Sequence, residues 1–80
     1  MDRAALISKI NEILAEILDD ETLSIHEATT ADDVLDWDSL NHVKLMVALE
    51  AEFRVRFETS EITAPNNVGE LADLIQSKLA

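Results

Sequence analysis

The chain has 80 residues, no cysteine, one glycine and one proline, with 17 acidic against 6 basic residues and a net charge of −11. That length allows one domain over residues 1–80, and without cysteine it excludes disulfides, thiolate metal sites and a cysteine nucleophile. The negative field repels nucleic acid phosphates and anionic lipid heads, so neither is an expected partner, and basic patches on other proteins are.

The start, "MDRAALISKINEIL", is amphipathic and lacks the basic, then greasy, pattern of a secretion signal. No apolar run approaches the ~20 residues of a membrane span. A monomer in the cytoplasm is the expectation. A first helix is predicted from about Ala4 to Leu18, with Leu6, Ile7, Ile10, Ile13, Leu14, Ile17 and Leu18 at three- and four-residue spacing. Asp2 is the expected N-cap. Asp19-Asp20-Glu21 should stop the helix, because carboxylates oppose the negative end of its dipole.

From Asp19 to Asp38 the chain runs without clear periodicity, which is long for a connection in a compact domain. Leu23, Ile25, Val34 and Leu35 are its candidate anchors. This loop delivers the chain to Ser39; a middle helix should begin at Ser39 or Leu40 and run to about Phe53. At about 100° per residue its apolar positions separate into two arcs. Leu45, Met46, Leu49 and Phe53 form one, expected in the core. Leu40, Val43, Val47 and Ala51 form the other, expected to be at least partly exposed as a docking stripe unless the long loop folds over it. "FRVRF" alternates, but it has no partner strand.

"TSEITA", from Thr59 to Ala64, is expected to form one short helical turn capped by Thr59 or Ser60. The last helix is predicted from Val68 to Leu79, with Asn67 and Glu70 as a capping-box-like start. The expected fold is therefore all-α: a small four-helix bundle of three long helices, one short helix and a long first loop.

Ser39 admits two readings. It can cap the middle helix. Alternatively its hydroxyl is an attachment point, since a phosphodiester there would meet free backbone N–H groups and the positive end of the dipole. Asp38 beside it would then orient the hydroxyl or help hold a metal-bound phosphate donor in a modifying enzyme. His42, three residues on, invites a serine-hydrolase reading, but no glycine-rich turn offers an oxyanion hole. A calcium loop starting at Asp36 fails, because Asn41 replaces the turn glycine and Val47 stands where a bidentate Glu is required.

The stretch "DWDSLNHVKLMVALEAEF" resembles the phosphopantetheine-attachment region of acyl carrier proteins, built around Asp-Ser-Leu opening the second helix. The resemblance extends over essentially the whole chain, through the Glu52-Phe53 pair to the final "NNVGELADLIQSKL". It implies a non-enzymatic carrier whose Ser39 receives 4′-phosphopantetheine from coenzyme A through a phosphopantetheinyl transferase. An acyl group then rides on the arm's thiol, which accounts for a chain without one, and acyl-transferring or acyl-activating enzymes are the partners. By position, Leu40, Val43 and Val47 would be apolar contacts for those partners, and Asp38, Lys44, Glu50 and Glu52 charged ones. Three departures stand out. Asp36 occupies a place where many members have glycine, Trp37 is unusual at its position, and Asn41, Lys44 and Ala51 replace residues that are often acidic in fatty-acid-synthesis carriers. A lysine there would repel basic partner patches by up to ~1 kcal/mol per exposed pair. A specialised carrier for a dedicated pathway is expected, with an unmodified acidic interaction domain as the alternative.

Overall fold

The computed structural model describes residues 1–79; Ala80, the end of the expected domain, lies outside the described residues. The chain forms α1 (Arg3–Leu18), α2 (Ser39–Phe53), α3 (Thr59–Thr63) and α4 (Val68–Leu79), with a 3-10 turn at Ala31–Asp33 in the first loop. There is no strand among the described residues, and no helix is long and apolar enough to cross a membrane. "FRVRF" instead crosses from α2 to α3 as irregular chain, with Phe57 buried while Arg54 and Arg56 face solvent.

The three long helices carry the core. Leu6, Ile10 and Leu14 of α1 meet Leu45, Met46 and Leu49 of α2 and Val68, Leu71, Ala72 and Ile75 of α4. Each buried aliphatic side chain contributes about 1.5–3 kcal/mol relative to exposure. That regular packing is how so short a chain holds together without a disulfide.

The helix boundaries have local causes. The Asp2 carboxylate accepts the Ala5 N–H at 3.3 Å and starts α1. Asp19 ends it in the left-handed region at φ 53°, and the Asp20 N–H returns to the Ala15 carbonyl at 2.9 Å. Arg54 ends α2 the same way at φ 56°. Asn67 Oδ1 accepts the Glu70 N–H at 2.8 Å, as expected of a cap. Glu70 does not complete a box with it; its carboxylate reaches the Asn66 N–H, at 3.2 Å. For α3 the expected caps are wrong. Glu58 precedes the helix, and its own N–H is held by the Glu61 carboxylate at 2.8 Å, leaving Thr59 and Ser60 as exposed first-turn residues.

The long loop is packed, but largely by polar ties. The Asn11 side chain donates to the Leu23 carbonyl at 3.0 Å and accepts the Ile25 N–H at 2.9 Å. Ile25 is buried, and Leu23 and Val34 are half-buried against the core. Leu35 is not an anchor: it is 87% exposed. Farther on, the Thr29 and Glu27 carbonyls accept the Val68 and Gly69 N–H groups at 2.9 and 2.8 Å, capping α4 from another part of the chain. That close approach explains the lone glycine. A Cβ at Gly69 would lie 3.0 Å from the Glu27 carbonyl oxygen and 2.8 Å from its Oε1. Arg3 clamps the same corner, donating to Glu27 at 2.7 Å, to Asp73 and Gln76 at 2.7 Å, and to the Gly69 carbonyl at 2.9 Å.

Candidate functional site at the start of the second helix

The residue before Ser39 takes the capping task. Asp38 is in extended backbone, and its Oδ1 accepts the Asn41 N–H at 2.9 Å. Ser39 is therefore the first residue of α2, and it is exposed. Among the described residues its hydroxyl makes no hydrogen bond. Capping thus accounts for Asp38 and leaves the serine oxygen chemically free.

The approach to that serine is built by two unusual residues. Asp36 lies at φ 69°, in the left-handed region that suits glycine and that Asp tolerates better than most side chains. Its carbonyl accepts the Asn41 amide at 2.8 Å, which ties the turn to α2. Trp37 then points inward and is only 7% exposed. Its indole N–H donates to His42 Nδ1 at 3.1 Å, and His42 Nε2 lies 2.7 Å from the Ile62 carbonyl. Both imidazole nitrogens are engaged, so His42 does not serve Ser39 as a base. The hydrolase reading ends there.

A cleft of about 470 Å³ opens beside Ser39. Trp37 and Asp38 border it on the loop side, His42, Val43 and Ile62 on the helix side. This cleft was not visible in the sequence, because Ile62 lies 23 residues from Ser39 and on an element with no strong periodicity.

Along α2 the two arcs separate as the spacing predicts. Leu45, Met46 and Leu49 are buried, while Leu40, Val43 and Val47 are 65%, 46% and 58% exposed. Ala51, Lys44 and Glu52 are exposed as well. Glu50 departs from the expectation of a surface contact. It is half-buried, and its Oε2 accepts the Phe57 N–H at 2.8 Å, so its carboxylate holds the chain after α2. Arg3, Lys9 and Lys78 pair with carboxylates within 4 Å, whereas among the described residues Lys44, Arg54 and Arg56 have no such partner.

Comparison with known proteins supplies the chemistry this arrangement suits. The family described as "Phosphopantetheine attachment site" matches residues 8–75. Acyl carrier protein 3 of Ralstonia nicotianae is 30% identical over the whole chain, which covers 92% of that protein. The acyl carrier protein of Thermosynechococcus vestitus is 35% identical, again over the whole chain and 99% of the relative. Among solved structures, the crystal structure of the Thermotoga maritima acyl carrier protein superposes with a TM-score of 0.86 at 33% identity, covering 99% of this chain and 92% of that one. The solution structure of the holo acyl carrier protein of Geobacter metallireducens gives 0.83 at 36% identity, covering 91% and 84%. A free hydroxyl at a helix N-terminus, beside an open cleft, fits a phosphate-linked group. The chain belongs to the acyl carrier proteins, non-enzymatic proteins that carry acyl groups on 4′-phosphopantetheine.

Proposed function

We propose that Ser39 is the attachment residue for the 4′-phosphopantetheine arm, within one carrier domain over residues 1–80 that acts as a cytoplasmic monomer. The observation that carries this reading is the exposed hydroxyl of Ser39, freed from capping by Asp38. Its oxygen displaces one side of the coenzyme A pyrophosphate on a transferase; the hydroxyl proton leaves, and adenosine bisphosphate departs. The new phosphodiester then lies at the first turn of α2, where N–H groups and the dipole favour an anion. Asp38 keeps that turn formed. When bound, the arm supplies the thiol that holds acyl cargo as a thioester, which this cysteine-free chain cannot do itself.

Leu40, Val43, Val47 and Ala51 form the docking face for the transferase and for acyl-transferring or acyl-activating enzymes. Lys44 and Glu52 are its charged contacts, while Glu50 contributes mainly by holding Phe57. Lys44, with Arg54 and Arg56 just beyond, makes this face less acidic than the chain as a whole. That supports a carrier serving a dedicated pathway rather than general fatty acid synthesis.

The test is intact-mass spectrometry after incubation with coenzyme A and a promiscuous phosphopantetheinyl transferase. Wild type gains one arm and Ser39→Ala gains none. An unchanged wild-type mass would favour an unmodified interaction domain.

A further inference from the structure

The Trp37–His42 bond has a direction set by chemistry. An indole N–H only donates, so His42 Nδ1, 3.1 Å away, must hold a lone pair. The proton of the neutral ring then sits on Nε2 and goes to the Ile62 carbonyl at 2.7 Å. His42 can make both bonds in one tautomer and one charge state. Through this one ring, the loop before α2 is joined to α2 and to α3.

Those are also the two walls of the cleft beside Ser39. Trp37 belongs to the loop wall, while His42 and Ile62 belong to the helix wall. α3 has no fully buried residue of its own. Its other side-chain tie to a helix is Glu61 to Lys78, at 2.9 Å.

A second proton on His42 would put an N–H on Nδ1, facing the indole N–H. Two donors cannot share a bond, so the Trp37 link is lost while Nε2 still donates to Ile62. The charged groups that line the cleft together with His42 come from the loop side: Asp32 of the 3-10 turn and Asp38 of the helix cap. The α3 side offers Ile62, Thr63 and Pro65, and the α4 side offers Asn66, Asn67 and Leu71, none of which titrates. The bond to Trp37 requires the neutral ring. We propose that His42 is a positioning residue, a latch that fastens the loop wall to the helix wall of this cleft only while its imidazole is neutral. The consequence for cargo rests on the attachment reading of Ser39. With the latch closed, an apolar group on the arm meets a fixed Trp37; with it open, the indole is released while the Asp36–Asn41 bond still holds the turn to α2.

Trp37 is the single tryptophan, so all tryptophan emission comes from the indole in this contact. The experiment is a pH titration of the unmodified protein, following Trp37 emission, the indole N–H resonance, the amides of Asp32 and Ser39, and both histidine rings by NMR. The expected result is a loss of emission and of the protected indole N–H at the midpoint of the His42 ring. The two amides shift at that midpoint too. His42→Gln, which keeps a neutral donor and cannot titrate, should lose the response, and His26→Gln should keep it. A Trp37 signal that stays flat while the His42 ring titrates overturns the proposal, as does a response that follows His26. Should His42→Gln not fold, the wild-type titration decides alone. Because no arm is needed, failure of Ser39 to be modified leaves this test intact, and failure here leaves the attachment reading intact.

Discussion

Asp36, Asp38 and Ser39 divide the work of opening α2 among three short polar side chains. Asp38 caps, Ser39 is left free, and Asp36 turns the chain in left-handed backbone at φ 69°. The resemblance marked position 36 as a place of glycine, and the backbone gives the reason: an ordinary side chain there costs about 1–2 kcal/mol. Asp36→Val should therefore lower the melting temperature by about 5–15 °C for a domain of this size, whereas Asp36→Gly should leave it within a few degrees. Equal melting temperatures for the two variants, read by circular dichroism, would contradict this account of the turn. The opening of α2 was only half legible: the sequence offered Ser39 as the cap where Asp38 takes that task, and Asp36 stood out only as a departure from the family's glycine, not as a left-handed turn. The pairing of Trp37 with His42 was not legible, since a hydrogen bond five residues apart across a helix start leaves no periodic trace.

The helices divide by how much of their support is local. α1, α2 and α4 were readable nearly to the residue, because an apolar period of 3.6 and a cap at each start specify them independently of the rest. α3 was readable only in outline; its start is held by the pair Glu58 and Glu61, not by the hydroxyl residues that usually mark one. The first loop was legible in its apolar anchors Leu23, Ile25 and Val34, but not in its polar ones, because Asn11, Arg3 and backbone carbonyls reach distant partners. α2 is where element and function meet: one arc is buried with Leu49, and the other stays exposed with Val47. Lys44 sits at the edge of the exposed arc and has no carboxylate within pairing distance among the described residues. Lys44→Glu should therefore raise kcat/KM with a ketoacyl synthase of fatty acid synthesis by about two- to fivefold, the worth of one exposed pair. Equal rates for wild type and variant would count against Lys44 as a determinant of partner choice.

Across the whole molecule, seventeen carboxylates repel one another over a domain only 31 × 26 × 21 Å in extent. At neutral pH, moderate salt should raise the melting temperature by screening this repulsion, even though it also weakens the Arg3 pairs. Acid acts in the opposite direction. The Arg3 hydrogen bonds hold the Glu27 carboxyl below its ordinary 4.5, and the Thr22 hydroxyl and N–H hold Asp20 below 3.8. The N–H groups of Thr30 and Glu58 do the same for Asp33 and Glu61. Each of these groups takes its proton at higher pH unfolded than folded. The stability they lend is therefore complete above the ordinary values and is lost as pH falls through the lowered ones. Melting temperature should fall as pH drops below about 4; a flat profile there, or one flat in salt, would contradict this balance. The charge was plain in the sequence, whereas the pairing of Arg3 with Glu27, twenty-four residues away, needed the fold. The central claim is narrower than any of these, and peptide mapping of the arm-bearing protein tests it most directly. Of the five serines, Ser8, Ser24, Ser39, Ser60 and Ser77, only the peptide containing Ser39 should carry the phosphopantetheine mass, with fragment ions placing it on that residue. An arm on any other residue, or a Ser39 peptide of unaltered mass after transferase treatment, would contradict it.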